Sequence, residues 1–159
     1  MKKNKENIDT NNKVVAKNRK ARHNYEILDT YEAGIVLQGT EVKSIREGNV
    51  NISDTFAKFL KGELYLVNMH ISPYKQANIQ NHEPTRSRKL LLHKGEMKKL
   101  YGKIAERGMT LVPLKIYLKN GLVKIELGLG KGKKEYKKKE SEKRRDEKVK
   151  LQRILKEKQ

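Results

Sequence analysis

Apolar residues along this chain fall into short runs whose spacing changes from two to about three and a half and back. From Tyr25 to Leu37, the residues Tyr25, Ile27, Tyr31, Ala33, Ile35 and Leu37 share one parity, which predicts a long strand. Gly34 lies inside it, where a bend or bulge that turns a barrel corner is expected. In Gly39–Gly48 the period lengthens: Val42 and Ile45 share a helical face, Thr40 is the candidate N-cap, Glu41 suits the positive helix start and Gly48 is the stop. Phe56–Leu60 and Leu64–Ile71 flank Lys61-Gly62 and predict a hairpin. A second hairpin is predicted around Asn120-Gly121, a pair suited to a turn that needs positive φ twice. Centring the turn there sets Leu118 opposite Val123, Ile116 opposite Ile125, Leu114 opposite Leu127 and Val112 opposite Leu129 on one face. The other parity holds Lys115, Tyr117, Lys119, Lys124 and Glu126, an outer face. Between the hairpins, Lys94–Arg107 places Met97, Leu100, Tyr101 and Ile104 at helical spacing as a core stripe, with Gly108 as terminator.

Five or six strands joined mostly by hairpins, with two or three short helices, predict an all-β-dominated domain. The expected architecture is a small antiparallel barrel of the oligonucleotide/oligosaccharide-binding (OB) type. The fold alone does not specify a function.

Charge adds what the pattern lacks. The chain has 159 residues, 38 Lys+Arg against 19 Asp+Glu, a net charge of +19, and 6% aromatic residues. Met1–Arg22 carries net +6 and Lys131–Gln159 net +8, while the middle carries only +5. The domain is therefore expected over residues 18–130, with a disordered basic arm at 1–17 and a basic tail at 131–159. A field this positive favours a polyanionic partner. Without Cys there is no disulfide, thiolate nucleophile or cysteine zinc site. No apolar run approaches the ~18 residues of a membrane span, and no signal-peptide pattern follows the basic start, so a soluble, cytoplasmic monomer is expected.

Catalytic signals are missing. His23, His70, His82 and His93 have no i, i+3 or i, i+4 partner and form no metal-ligand pattern. Gly128–Lys134 resembles a phosphate loop but has Leu127 and Lys134 where Gly and Ser or Thr are required. No metal, cofactor or enzyme activity is expected; the chain reads as a binder. The run Asn18 to Tyr25 joins three cations with an imidazole and a phenol at a strand entrance, a set suited to phosphates and stacked bases; Tyr25 serves equally well as core. Thr85–Lys89 is a second basic cluster, either a phosphate clamp or the polar mouth of a strand. In the tail, Glu140→Arg144 and Asp146→Lys150 sit in helix-favouring order ahead of Leu151, Ile154 and Leu155. That short charged segment is expected to be disordered when free and helical on RNA.

Several motifs resemble one family. The spacing Asn18-x-x-Ala21-Arg22-His23-x-Tyr25 is followed by Glu32-Ala33-Gly34 and by the run from Leu37 to Ser44. Asn51–Asp54, Pro84–Leu92, Leu100–Gly102 and Gly130–Lys134 follow in order. Together these resemble the SsrA-binding protein (small protein B, SmpB) family of bacteria from about residue 14 to the end. The resemblance implies an OB-type barrel that binds the tRNA-like domain of transfer-messenger RNA and brings it to stalled ribosomes for peptide tagging. It implies RNA contacts by Asn18, Arg22, His23, Glu32, Lys43, Arg46, Arg86 and Lys89. It further implies a tail that acts in the decoding centre and message channel through Lys131, Lys133, Lys134, Ile154 and Leu155, helical on the ribosome. The tail departs from the family pattern at Tyr136–Lys139 and Glu147. From composition and pattern alone, a ribosomal-protein-like or initiation-factor-like barrel binding rRNA is equally open.

Overall fold

The structure, a computed structural model, describes residues 12–77, 80–133 and 135–157, and side chains throughout these except at 135–143 and 157. In chain order the elements are β1 (Lys13–Lys17), α1 (Ala21–Asn24), β2 (Tyr25–Ile35), α2 (Gly39–Arg46), β3 (Val50–Asn51), β4 (Phe56–Leu60) and β5 (Glu63–Val67). They continue with β6 (His70–Ile71), β7 (Arg88–Leu91), α3 (Lys94–Arg107), β8 (Thr110–Lys119), β9 (Leu122–Gly132) and α4 (Glu135–Glu157). The main sheet runs β1-β8-β4-β5-β7-β2-β9, and β9 pairs back onto β8. Every pairing is antiparallel, so the sheet closes on itself in the manner of the expected small OB-type barrel. Inside lie Leu64, Leu66, Leu90, Leu111, Ile116, Ile125 and Leu127, with Leu100 of α3 and Ile45 of α2 packed among them.

Both two-residue turns form where positive φ is available: Lys61 and Gly62 have φ 50° and 78°, Asn120 and Gly121 51° and 78°. The first hairpin is shorter than expected. Its second strand breaks at Asn68, which takes φ 70°, so His70–Ile71 pairs separately with Val50–Asn51. Part of the arm expected to be disordered forms an element. Lys13–Lys17 is a strand on the edge of β8, because Val15 and Ala16 have core to cover. In α2 the helix begins at Gly39 with Gln38 as N-cap. The Gln38 N–H donates to Glu41 Oε1 at 2.8 Å, whereas Thr40, the expected cap, bonds the His82 ring at 2.8 Å. Helix α3 spans the expected residues and stops at Gly108 in the left-handed region, φ 63°. Its expected core stripe is narrower than four residues: Tyr101 is exposed and meets Phe59 edge-on, with ring centroids 5.4 Å apart.

The β8–β9 register holds for Leu118–Val123 and Ile116–Ile125, then shifts. Leu114 bulges out, and Pro113 opposes Leu127, Val112 opposes Gly128 and Leu111 opposes Leu129. Proline contributes no ladder N–H, so an irregularity beside Pro113 costs the sheet little. In β2 the bulge falls at Leu28, between Ile27 and Asp29, rather than at Gly34. An added residue moves all later side chains to the opposite face. These two bulges therefore turn Tyr25, Ile27, Val112 and Leu114 outward, where with Ala21 and Phe56 they form a second apolar cluster beneath α1. Gly128 and Gly130 belong to this outer layer. A Cβ on Gly130 would lie 2.3 Å from the Glu26 carbonyl oxygen, and one on Gly128 3.1 Å from Ile27 and Leu114 methyls. The glycine run is thus a packing feature of strand β9.

Candidate nucleic-acid interface

Helix α1 is a single turn and is far too short to be stable alone. Asn18 anchors it. The Asn18 backbone N–H donates to the Leu114 carbonyl at 2.8 Å, and its side-chain amide donates to the Pro113 carbonyl at 3.0 Å. Both acceptors belong to the β8 bulge. Ala21, 2% exposed, plugs the turn into the outer apolar cluster. From the other side the Lys133 N–H donates to the Asn24 carbonyl at 2.8 Å, and Lys131 pairs with Glu26. Exposed Arg22 and half-buried His23 consequently stand on a turn pinned at both ends, beside exposed Lys131 and half-buried Lys133.

This grouping redraws a boundary. Lys131 and Lys133, expected in the tail, lie on the body of the fold, since β9 continues to Gly132. Lys134 and residues 1–11 lie outside the described residues, as do the side chains of Tyr136–Lys139. Ile154 and Leu155 are exposed on α4.

The other expected RNA contacts sit elsewhere, and most already hold partners. Glu32 is on the outer face, where it accepts a hydrogen bond from Tyr117 and one from Lys119 Nζ at 3.3 Å. The Tyr117 hydroxyl, then Lys119, hold the Glu32 carboxyl below its ordinary range, while burial and Glu32 together push the Tyr117 phenol well up. Lys43 lies over the Tyr74 ring, 5.4 Å from its centroid. Arg46 donates to the Gly121 carbonyl at 3.3 Å. Lys89 is bound to Glu63 Oε1 at 2.9 Å, which raises the lysine and lowers the carboxyl.

Arg86 belongs to a network that the residue pattern did not single out. Glu41, with 0% side-chain exposure, accepts from Arg86 and from Arg88, itself 0% exposed. Arg88 Nη1 also donates to the Met69 carbonyl at 2.7 Å and Nη2 to that of Pro84 at 3.0 Å. Burial alone would push the Glu41 carboxyl up, but donors from Arg86, the Gln38 N–H and Arg88 hold it below its ordinary value. For Arg88 burial prevails and lowers its pKa despite Glu41. Of the two alternatives for Thr85–Lys89, the geometry supports the structural one for Arg88. A signal was available: Arg88 shares strand parity with buried Leu90.

Among the described residues no group of His, Asp or Glu is arranged to hold a metal ion, and no helix is long and apolar enough to cross a membrane. His82 is buried, with Nε2 2.9 Å from the Ile71 carbonyl.

The profile of the family described as SmpB protein matches residues 15–157. The SsrA-binding protein of Geobacillus thermodenitrificans (strain NG80-2) is 59% identical over 147 residues, covering 92% of this chain and 95% of that protein. That of Bacillus subtilis (strain 168) is 57% identical over 147 residues, covering 92% and 94%. A chain of the solved structure "tmRNA-SmpB: a journey to the center of the bacterial ribosome" is similar with a TM-score of 0.63 and 56% identity, over 76% of this chain and 85% of that one. With barrel and tail both inside the match, the chain belongs to the SmpB family.

Proposed function

We propose that this protein binds the tRNA-like domain of transfer-messenger RNA and carries it to stalled ribosomes, acting by binding alone and not as an enzyme. Family membership over residues 15–157 is the observation that carries this reading. The relatives bear the name SsrA-binding protein, and the similar solved chain comes from a tmRNA–SmpB complex on the ribosome. The pinned turn supports it chemically. Arg22, Lys131 and Lys133 supply phosphate-seeking charge on one small area, and the His23 ring can stack on a base or ribose. Asn18 acts as a positioning residue whose amide holds that area to β8. Helix α4 leaves beside α1 with Leu151, Ile154 and Leu155 exposed. An exposed apolar edge on so charged a helix suits a segment that gains its packing surface on the ribosome, in the decoding centre and message channel.

Sequencing the RNA that copurifies with the protein from its own cells tests this. Transfer-messenger RNA should dominate, and an Arg22→Ala/His23→Ala double variant should lose most of it while keeping the wild-type thermal midpoint. Recovery of ribosomal RNA alone would favour a ribosomal-protein-like role instead.

A further inference from the structure

A pocket of about 230 Å³ opens between α1 and the turn before β4, lined by Asn18, Lys20, Asn24, Tyr25, Asp54 and Phe56 among others. Its walls combine two half-buried aromatic rings with polar groups that the fold leaves uncommitted. The Asn18 amide nitrogen is taken up by the Pro113 carbonyl, so its Oδ1 remains to accept. Asp54 sits in the left-handed region at φ 57°, on an exposed turn of a strongly basic protein. Among the described residues, neither its carboxylate nor the Asn24 side chain has an ion-pair or hydrogen-bond partner. Glu41, by contrast, is held by two arginines and Glu63 by Lys89.

A carboxylate with no partner among the described residues, in a pocket that two aromatic residues also line and on the face proposed to attract phosphate, suits a ligand that brings two N–H donors on a flat ring. Guanine does so through N1–H and its 2-amino group, and unpaired RNA bases are read on that edge by side chains while they stack on aromatic rings. We propose that this pocket receives one unpaired guanine of a bound RNA. Asp54 accepts N1–H and the 2-amino group, Asn18 and Asn24 line the opposite side, and Lys20 holds the adjoining phosphate. The inference rests on the RNA-binding reading above and adds base selectivity to it.

Atomic substitution in the RNA tests it without disturbing the fold. Full-length protein is titrated with single-stranded pentanucleotides AAGAA, AAIAA and AAAAA, inosine being guanine without the 2-amino group. A charge-assisted hydrogen bond is worth enough that the guanine oligomer should bind about tenfold more tightly than the inosine one, and the adenine oligomer should be weakest. Asp54→Asn, which tolerates the same left-handed backbone, should remove the guanine preference without changing the salt slope. Equal affinity for all three oligomers, or a guanine preference that survives in Asp54→Asn, overturns the proposal. Binding of the tRNA-like RNA is measured alongside. Its absence in wild type would overturn the functional reading, whereas retained binding without guanine preference overturns the pocket assignment alone.

Discussion

Burying Glu41 and Arg88 together removes two full charges from water, a cost that their mutual attraction offsets only while both are present and hydrogen-bonded. Glu41→Gln leaves Arg88 charged inside the barrel and should destabilise the fold by about 3–5 kcal/mol, seen as a lowered thermal midpoint. The paired replacement Glu41→Leu/Arg88→Met removes both charges and should cost clearly less; an equal or larger loss would mean that the ion pair itself, not relief of a stranded charge, supplies the stability. The same pair dictates a pH response. The Glu41 carboxyl is held below its ordinary value of 4.5 in the folded state. Its contribution is complete above pH 4.5 and disappears as the pH falls through the lower, folded value. Wild type should therefore lose stability in that acid window, and Glu41→Gln should lose less there. Arg88 was legible as inward-facing from its parity with Leu90, but a cation on a core parity is read against its charge unless its carboxylate is known. Glu41 lies 47 positions away, and no local spacing connects them.

At the scale of elements, two added residues decide where the candidate interface sits. Turn pairs and alternation were enough to place both hairpins, helix α3 and the inner face of Ile116, Leu118 and Ile125, because those signals are local. The bulges at Leu28 and Leu114 were not legible: glycine drew the expected irregularity of β2 to Gly34, and β8 reads as unbroken alternation from Val112 to Leu118. Only pairing with β9 reveals that Tyr25, Ile27, Val112 and Leu114 serve the outer cluster. For the same reason the site was legible as residue types but not as an arrangement. Arg22 and His23 could be chosen from their motif, whereas Lys131 and Lys133 join them only because β9 runs past the expected boundary. The glycines of β9 make this testable by position. In Gly130→Ala the new methyl meets backbone at 2.3 Å, so β2 and β9 must part. The loss should exceed the ~1–3 kcal/mol usual for overpacking. Gly128→Ala meets methyl groups at 3.1 Å that can give way, and it should cost less. Gly132→Ala meets nothing within 4 Å and should be nearly neutral or slightly stabilising. Urea midpoints of the three variants check the order; equal losses at all three would disprove the close approach.

At the scale of the molecule, charge is divided between a body that presents a compact basic area and a tail that carries much of the excess. Residues 134–159 hold 12 Lys+Arg and 6 Asp+Glu, a net +6. A strand pairing and the Lys133–Asn24 hydrogen bond fix the place to cut: removal from residue 134 spares β9, whereas removal from 131 takes two of its residues with it. The shorter deletion should leave the thermal midpoint unchanged, and it separates two roles for the tail's charge. Each phosphate that the protein ceases to neutralise lowers the slope of log affinity against log salt by about 0.7–0.9. If the body alone holds the tRNA-like RNA, as proposed, the truncated protein should show the full-length slope and nearly the same affinity. Tagging of peptides on stalled ribosomes should meanwhile be abolished. A slope reduced by about two or more would instead assign the tail's lysines to the RNA, and normal tagging by the truncated protein would remove the tail from ribosome function altogether.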